Sequence, residues 1–322
     1  MTPITKKNAQ TLGDWAYLAI EKHFEKTIKY EQEVLKDQDP ENLHQMRVGM
    51  RRLRSAATGF APALALPKSA REKQIGQIAR TLGELRDLDV LMAALSDRYA
   101  PQLPKKQRAT LDVGLATLAK KRSTIFKKIK KTLKNDKYLK FKESLTNWLK
   151  QPTYQPMAVM DIYHVLPDLL LPEVNRFFLH PGWMVGTIVT PGKSGFSLEL
   201  DAQKVEQELT KRGTLLHNLR KQAKRVRYQM SLFTDFYDRD YQAYLADMKK
   251  IQDILGEIQD TEVLAAVMTD VFQQEINLIL PSLAEQLAET RYKLWQQWAP
   301  LHDRYVHPET RQAFRTTLLN NK

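Results

Sequence analysis

Apolar residues recur at intervals of three and four over most of the chain. In the first half this period runs through 11–36, 42–60, 69–98, 106–134 and 137–150. In the second half it runs through 198–211, 213–237, 239–272, 274–300 and 308–320. A period near 3.6 puts one apolar stripe on each helix, so the pattern predicts an all-α chain of amphipathic helices. Breaks are expected at Pro40-Glu41-Asn42 and at Pro101–Pro104, because proline removes a helical donor and keeps the residue before it out of the α region. Residues 151–197 depart from the pattern, with many prolines and then HPGWMVGTIVTPGKSG. This stretch reads as a connector with a short extended piece at Met184–Val189.

The helical pattern is written twice. LHQMRVGMRRLRSAATGF (43–60) lies over LHNLRKQAKRVRYQMSLF (216–233), and RTLGELRDLDVL (80–91) lies over DILGEIQDTEVL (253–264), both at an offset of 173. A weaker block, RSTIF (122–126) over RYKLW (291–295), needs an offset of 169. Two blocks sharing one offset without a gap indicate a tandem duplication. The expected division is 1–150 for the first half, 151–197 for the connector and 198–322 for the second half.

Each copy of the first block carries two stripes. At 100° per residue, Leu43, Met46, Met50 and Leu53 share one third of the helix circumference and face a core. His44, Arg47, Arg51 and Arg54 form a basic stripe rotated from it by about 90–100°. The second copy has Leu216, Leu219, Ala223 and Val226 facing inward, with His217, Arg220, Lys224 and Arg227 on the shoulder. Arg52 and Arg225 match as a pair but fall off the stripe. Like charges at i,i+3 and i,i+4 repel by a few tenths of a kcal/mol per pair. Something negative must therefore face them. The internal candidates are Glu84, Asp87 and Asp89, with Glu257, Asp260 and Glu262 in the repeat. The external candidate is a polyanion. These acids are too few to neutralise both stripes, so some arginines are expected to pair internally and the rest to meet a ligand.

Composition sharpens the partner class. The net charge of the 322-residue chain is +13, and residues 105–142 hold fourteen Lys/Arg against two acids. Such a surplus favours nucleic acid, an anionic membrane or a polyphosphate. Cysteine is absent, which excludes disulfides and thiolate chemistry. The N-terminal stretch lacks the apolar core of a signal peptide, and no run of about 20 apolar residues is present, so a cytoplasmic protein is expected. Arginine suits phosphate because its planar fork gives bidentate contacts and stays charged.

Other signals carry less. PGKSG (191–195) lacks the glycine that a phosphate-binding loop needs, because Thr187 occupies that position, and it reads as a turn. Glu84 and Asp87 could share a face for metal-assisted hydrolysis, but ion pairing with the repeat arginines explains them better. Cationic neighbours make His44 and His217 poor metal ligands, and His302 and His307 lack a third ligand. The stretch 120–134 has an apolar face at Ile125, Ile129 and Leu133 that reads as bundle packing rather than a membrane-surface helix. Lys121 and Arg122, with the repeat partner Arg291, are outlying candidates for anion contact.

These residues resemble the CHAD domain (conserved histidine α-helical domain) over roughly 10–150 and 198–322. The resemblance rests on a histidine heading a basic helix, twice, each copy followed by an LGExxDxxVL-like segment. It implies two four-helix-bundle-like halves related by a pseudo-two-fold, with a basic groove or pore between them. It also implies binding of inorganic polyphosphate and localisation to polyphosphate granules. The CYTH barrel fused to some members has no room here, which implies a stand-alone, non-catalytic protein without a cofactor. Carried over by position, the binding residues are His44, Arg47, Arg51 and Arg54, and His217, Arg220, Lys224 and Arg227, with Arg52 and Arg225 as a further matched pair. Lys224 in place of an arginine and the proline-rich insert depart from the pattern. The alternatives are a nucleic-acid-binding protein using the same charge, or a phosphohydrolase acting on polyphosphate.

Overall fold

The computed structural model describes residues 4–189, 196–197 and 200–322. PGKSG (191–195) lies outside the described residues. The fold is all-α. Its helices are α1 (Leu12–Lys29), α2 (Glu31–Lys36), α3 (Pro40–Gly59), α4 (Glu72–Ala93), α5 (Lys105–Leu133), α6 (Asp136–Lys150), α7 (Ile162–Phe178), α8 (Ala202–Met230), α9 (Arg239–Phe272), α10 (Ile276–Ile279), α11 (Pro281–Val306) and α12 (Pro308–Leu319). A π-helical turn, Ala94–Tyr99, extends α4. Two short strands, β1 (Ile188–Val189) and β2 (Phe196–Ser197), pair antiparallel, with Ile188 opposite Ser197.

Local chemistry sets the helix ends. Thr11 and Asp14 form a reciprocal capping box at α1: the Asp14 amide donates to the Thr11 hydroxyl at 3.2 Å and the Thr11 amide to the Asp14 carboxylate at 3.0 Å. At α3, Asp39 accepts from the Glu41 amide at 2.8 Å and Pro40 occupies the first turn, where no helical donor is needed. The basic helix therefore starts at Pro40, and the expected break at Pro40-Glu41-Asn42 is its first turn. Asp37 ends α2 in the left-handed region at φ 54°. Asp201 caps α8 through the Lys204 amide at 2.8 Å.

The chain folds as two compact units. One comprises the described residues up to Ala93 together with Thr117–Val165, and the other comprises Ala94–Ala116 with the described residues from Leu166 onward. In the first unit α3 is central. Its stripe of Leu43, Met46, Met50 and Leu53 is buried, against Ala16, Ile20 and Phe24 of α1 on one side and Ile75, Leu82 and Leu85 of α4 on the other. Helix α6 adds Tyr138, Phe141, Leu145 and Trp148. Here α1 and α3 cross closely: a methyl group on Gly49 would lie 2.7 Å from Thr27 Oγ1 and 3.0 Å from the Thr27 amide nitrogen. In the second unit Leu216, Leu219, Ala223 and Val226 of α8 are buried with Met248, Ile251, Leu255 and Ile258 of α9. Helix α11 closes this core with Leu287, Leu294 and Trp298, and Trp183 stacks on Trp298 at 5.3 Å.

The structure differs from the sequence expectation in several places. Residues 162–178 of the expected connector form α7, despite interior Pro167 and Pro172. Its residues Ile162, Val165, Leu166, Leu170, Val174 and Phe177 keep a helical period and are buried, and that burial outweighs the missing proline donors. The piece expected to be extended at Met184–Val189 begins as the end of a 3-10 turn (Pro181–Met184), and only Ile188–Val189 is strand. Helix α8 is continuous where two helices were expected. Its Gly213 leaves room for Glu262, whose Oε1 would stand 3.2 Å from a methyl group there. The contact-defined units also group 94–116 with the second half and 151–165 with the first, a partition that differs from the sequence division.

Substituting Gly49→Ala is expected to force α1 and α3 apart and destabilise the protein by about 1–3 kcal/mol, as overpacking against backbone does. Urea unfolding would measure this. Adding Thr27→Ala should not restore stability, because the clash with the Thr27 backbone remains.

Candidate functional site

The basic stripe of α3 lies on its shoulder, beside α4, and every member is half-buried. Two glycines of α4 make room for its arginines. A methyl group on Gly83 would stand 3.5 Å from Arg47 Nε, and one on Gly76 would stand 3.2 Å from Arg54 Nε. Seven residues up α3 match seven residues down α4, as antiparallel neighbours require. The second unit repeats the seat: a methyl group on Gly256 of α9 would stand 3.0 Å from Arg220 Nε of α8. The glycine of each LGE segment therefore provides room for a guanidinium of the basic helix. Arg52 and Arg225 are exposed, as the helical wheel placed them off the stripe. Arg52 instead faces α1, where its charge helps depress the His23 and Lys26 pKa values.

The halves neutralise their stripes differently. In the first, Arg47 donates to Asp87 at 2.9 Å, and Arg54 Nε donates to Glu72 at 2.5 Å. Glu84 pairs with Lys128 at 2.7 Å. In the second, Arg227 donates to the neutral Gln252 side chain at 3.0 Å and stacks over Tyr228 at 5.3 Å. Among the described residues neither Arg220 nor Arg227 makes an ion pair, and Arg220 Nε is buried without a hydrogen-bond partner. Glu257 lies instead 3.8 Å from Arg98.

The outlying candidates separate clearly. Lys121 is exposed. Arg122 is held by Asp37 at 2.7 and 2.8 Å and by Asp89 at 2.7 Å, which raises its pKa further. Arg291 is held by Glu206 at 2.7 and 2.8 Å; beside it, burial pushes the half-buried Glu262 carboxyl up, with the Arg291 charge opposing. These two are repeat-related ion clusters that tie helices together, and their guanidiniums already carry carboxylate partners.

His44 and His217 are both held below the usual imidazole range. For His44 the largest cause is burial, followed by Arg86, Arg51 and Arg47, with Glu41 opposing. For His217 it is burial, then Lys221, Arg220 and Lys224, with the Gln259 side chain opposing. The His217 Nδ1 is buried without a hydrogen-bond partner. Arg86 is a fourth cation at the first stripe that the sequence reading passed over. It sits inside the LGELRD block, but its repeat partner is Gln259, so matching the halves hid it.

Two half-buried rows of cations, with neutral imidazoles among them, are suited to multiple phosphates: planar forks to hold oxygens, and rings that gain a proton as negative charge approaches. Among the described residues no three His, Asp or Glu side chains gather as a metal site, and no helix is long and apolar enough to cross a membrane.

Comparison with known proteins agrees with this architecture. The CHAD domain family model matches residues 18–269. The CHAD domain from the plant Ricinus communis superposes with a TM-score of 0.60 at 22% identity, covering 96% of this chain and 92% of that one. PptA from Streptomyces chartreusis superposes with a TM-score of 0.57 at 14% identity, covering 97% and 100%. No curated protein matches the chain by sequence.

Histidine NMR titration would check the electrostatics. Both rings should titrate below the usual value near 6.5. Arg86→Gln removes a cation beside His44, so it should raise the His44 pKa and leave that of His217 unmoved.

Proposed function

The chain belongs to the CHAD domain family, and on that footing we propose that it binds inorganic polyphosphate through the two histidine–arginine helices. The proposed role is non-catalytic, as a granule-associated or targeting protein. The observation that carries the reading is the duplicated stripe on α3 and α8, with an arginine seated on a glycine of the neighbouring helix in both units. The family's link to polyphosphate supports it.

The physical account follows from the ligand. A polyphosphate chain is flexible and carries about one negative charge per phosphate. Binding releases condensed counterions, so affinity falls steeply with salt. Arginine forks hold the oxygens, and the glycine seats restrict where each fork can point. His44 and His217 are neutral at pH 7 in the free protein, and a bound polyanion raises their pKa. Binding therefore takes up protons, and affinity rises as pH falls toward the free-state pKa values. Glu84 and Asp87, the carboxylates considered for hydrolysis, hold Lys128 and Arg47, which favours a structural role for them.

Titration with medium-length polyphosphate at two salt concentrations tests the reading. Arg220→Glu should weaken binding about tenfold or more, because among the described residues the wild-type Arg220 makes no ion pair that would compete with a ligand. Arg47→Glu should weaken it less, since Asp87 already holds part of that charge. A folded Arg47→Glu/Arg220→Glu double variant that still binds at full affinity would sink the site assignment. An equal response to a single-stranded oligonucleotide of matched charge would instead mark a generic basic surface. Affinity should also be higher at pH 5.5 than at pH 7.5, and His44→Gln/His217→Gln should flatten that dependence.

A further inference from the structure

We propose that the second unit carries a separate site for a phosphate group, formed by Arg311 and Arg315 of α12 over the ring of Phe178 at the end of α7. These arginines lie beyond the residues matched by the family model. They are one helical turn apart, and their guanidiniums stand 5.3 and 5.2 Å from the Phe178 ring centroid. Arg311 also lies 5.8 Å from the Trp183 ring. Each is further pinned through its Nε, Arg311 by the Tyr305 carbonyl at 2.6 Å and Arg315 by the Asn175 side-chain oxygen at 2.9 Å. Both acceptors are neutral. Among the described residues neither arginine makes an ion pair, and the nearby Glu173 is engaged by Arg176 at 2.7 Å and Gln222 at 2.8 Å.

The duplication supplies an internal control. At the offset of 173, Phe141, Lys142 and Leu145 lie over Phe314, Arg315 and Leu318. In the first unit Lys142 is neutralised by the buried Glu31, donating to both its oxygens at 2.9 and 2.8 Å. In the second unit the corresponding cation faces an amide, Asn175, and a second cation, Arg311, is added one turn earlier. Burial and Arg315 together lower the Arg311 pKa, as expected for two adjacent cations without a carboxylate. Stacked, pinned guanidiniums keep their outer N–H groups aimed with little freedom left to lose on binding. Two such cations match one doubly charged tetrahedral anion better than a single carboxylate, which would leave one of them unmet. The site stands whether or not the α3 and α8 stripes bind polyphosphate.

The test uses the full chain and its arginine Nε–H resonances, with those of Arg311 and Arg315 assigned through Arg311→Lys and Arg315→Lys. Titration with inorganic phosphate and with pyrophosphate should shift both resonances to saturation, in the wild type and equally in the Arg47→Glu/Arg220→Glu variant. The tighter of the two anions tells whether one phosphate or a pair is held. Asn175→Asp gives Arg315 the carboxylate that Lys142 has in the first unit. It should weaken the response at least tenfold while leaving the melting temperature unchanged or higher. The proposal is overturned if neither small anion moves the two resonances, including the case in which only long-chain polyphosphate does. It is also overturned if Asn175→Asp responds as the wild type does.

Discussion

A row of like charges down one shoulder of a helix repels itself, and α3 and α8 both carry such a row directly beside their buried apolar stripe. The neighbouring helix makes this tolerable. Glycines at 76, 83 and 256 let the guanidiniums of Arg54, Arg47 and Arg220 lie close against α4 and α9. Once seated, each fork has a restricted direction, and half-burial strengthens its interaction with any anion that reaches it. The histidines that head each helix respond to the same field. Burial and the neighbouring cations hold both rings below the usual imidazole range.

The two copies have diverged in how they balance charge. The first holds Arg47 and Arg54 with Asp87 and Glu72, and sets Arg86 beside His44. Among the described residues the second shows no ion pair on Arg220, gives Arg227 the Gln252 amide, and places Gln259 where the first has Arg86. The same contrast recurs on the last helix of each unit, where Lys142 meets Glu31 and Arg315 meets Asn175. Among the described residues, Arg220 and Arg227 thus lack the ion pairs that Arg47 and Arg54 make. By contrast, the ion clusters at Arg122 and Arg291 are retained in both copies, which fits a role in holding helices together.

The sequence by itself determined the helical class, the matching of its two segment pairs, the inward stripes and the faces of the basic rows, because each depends only on periodicity along one helix or on comparing two segments. It also placed Arg52 and Arg225 off the stripe, where the structure exposes them. Only the tertiary structure decided which cations are already paired with carboxylates. Arg122 looked like a candidate for ligand contact until Asp37 and Asp89, 85 and 33 residues away along the chain, were seen to hold it. The glycine seats, the place of Arg86 beside His44, and the Arg311–Arg315–Phe178 cluster were likewise hidden, because each joins residues from different helices. Helix α7 was hidden for another reason: its two prolines outweigh its period when read locally, and burial of Leu166, Leu170, Val174 and Phe177 reverses that balance in the fold. Charge neutralisation and burial are properties of neighbours in space, and helical periodicity fixes only which face a residue occupies, not what stands opposite it.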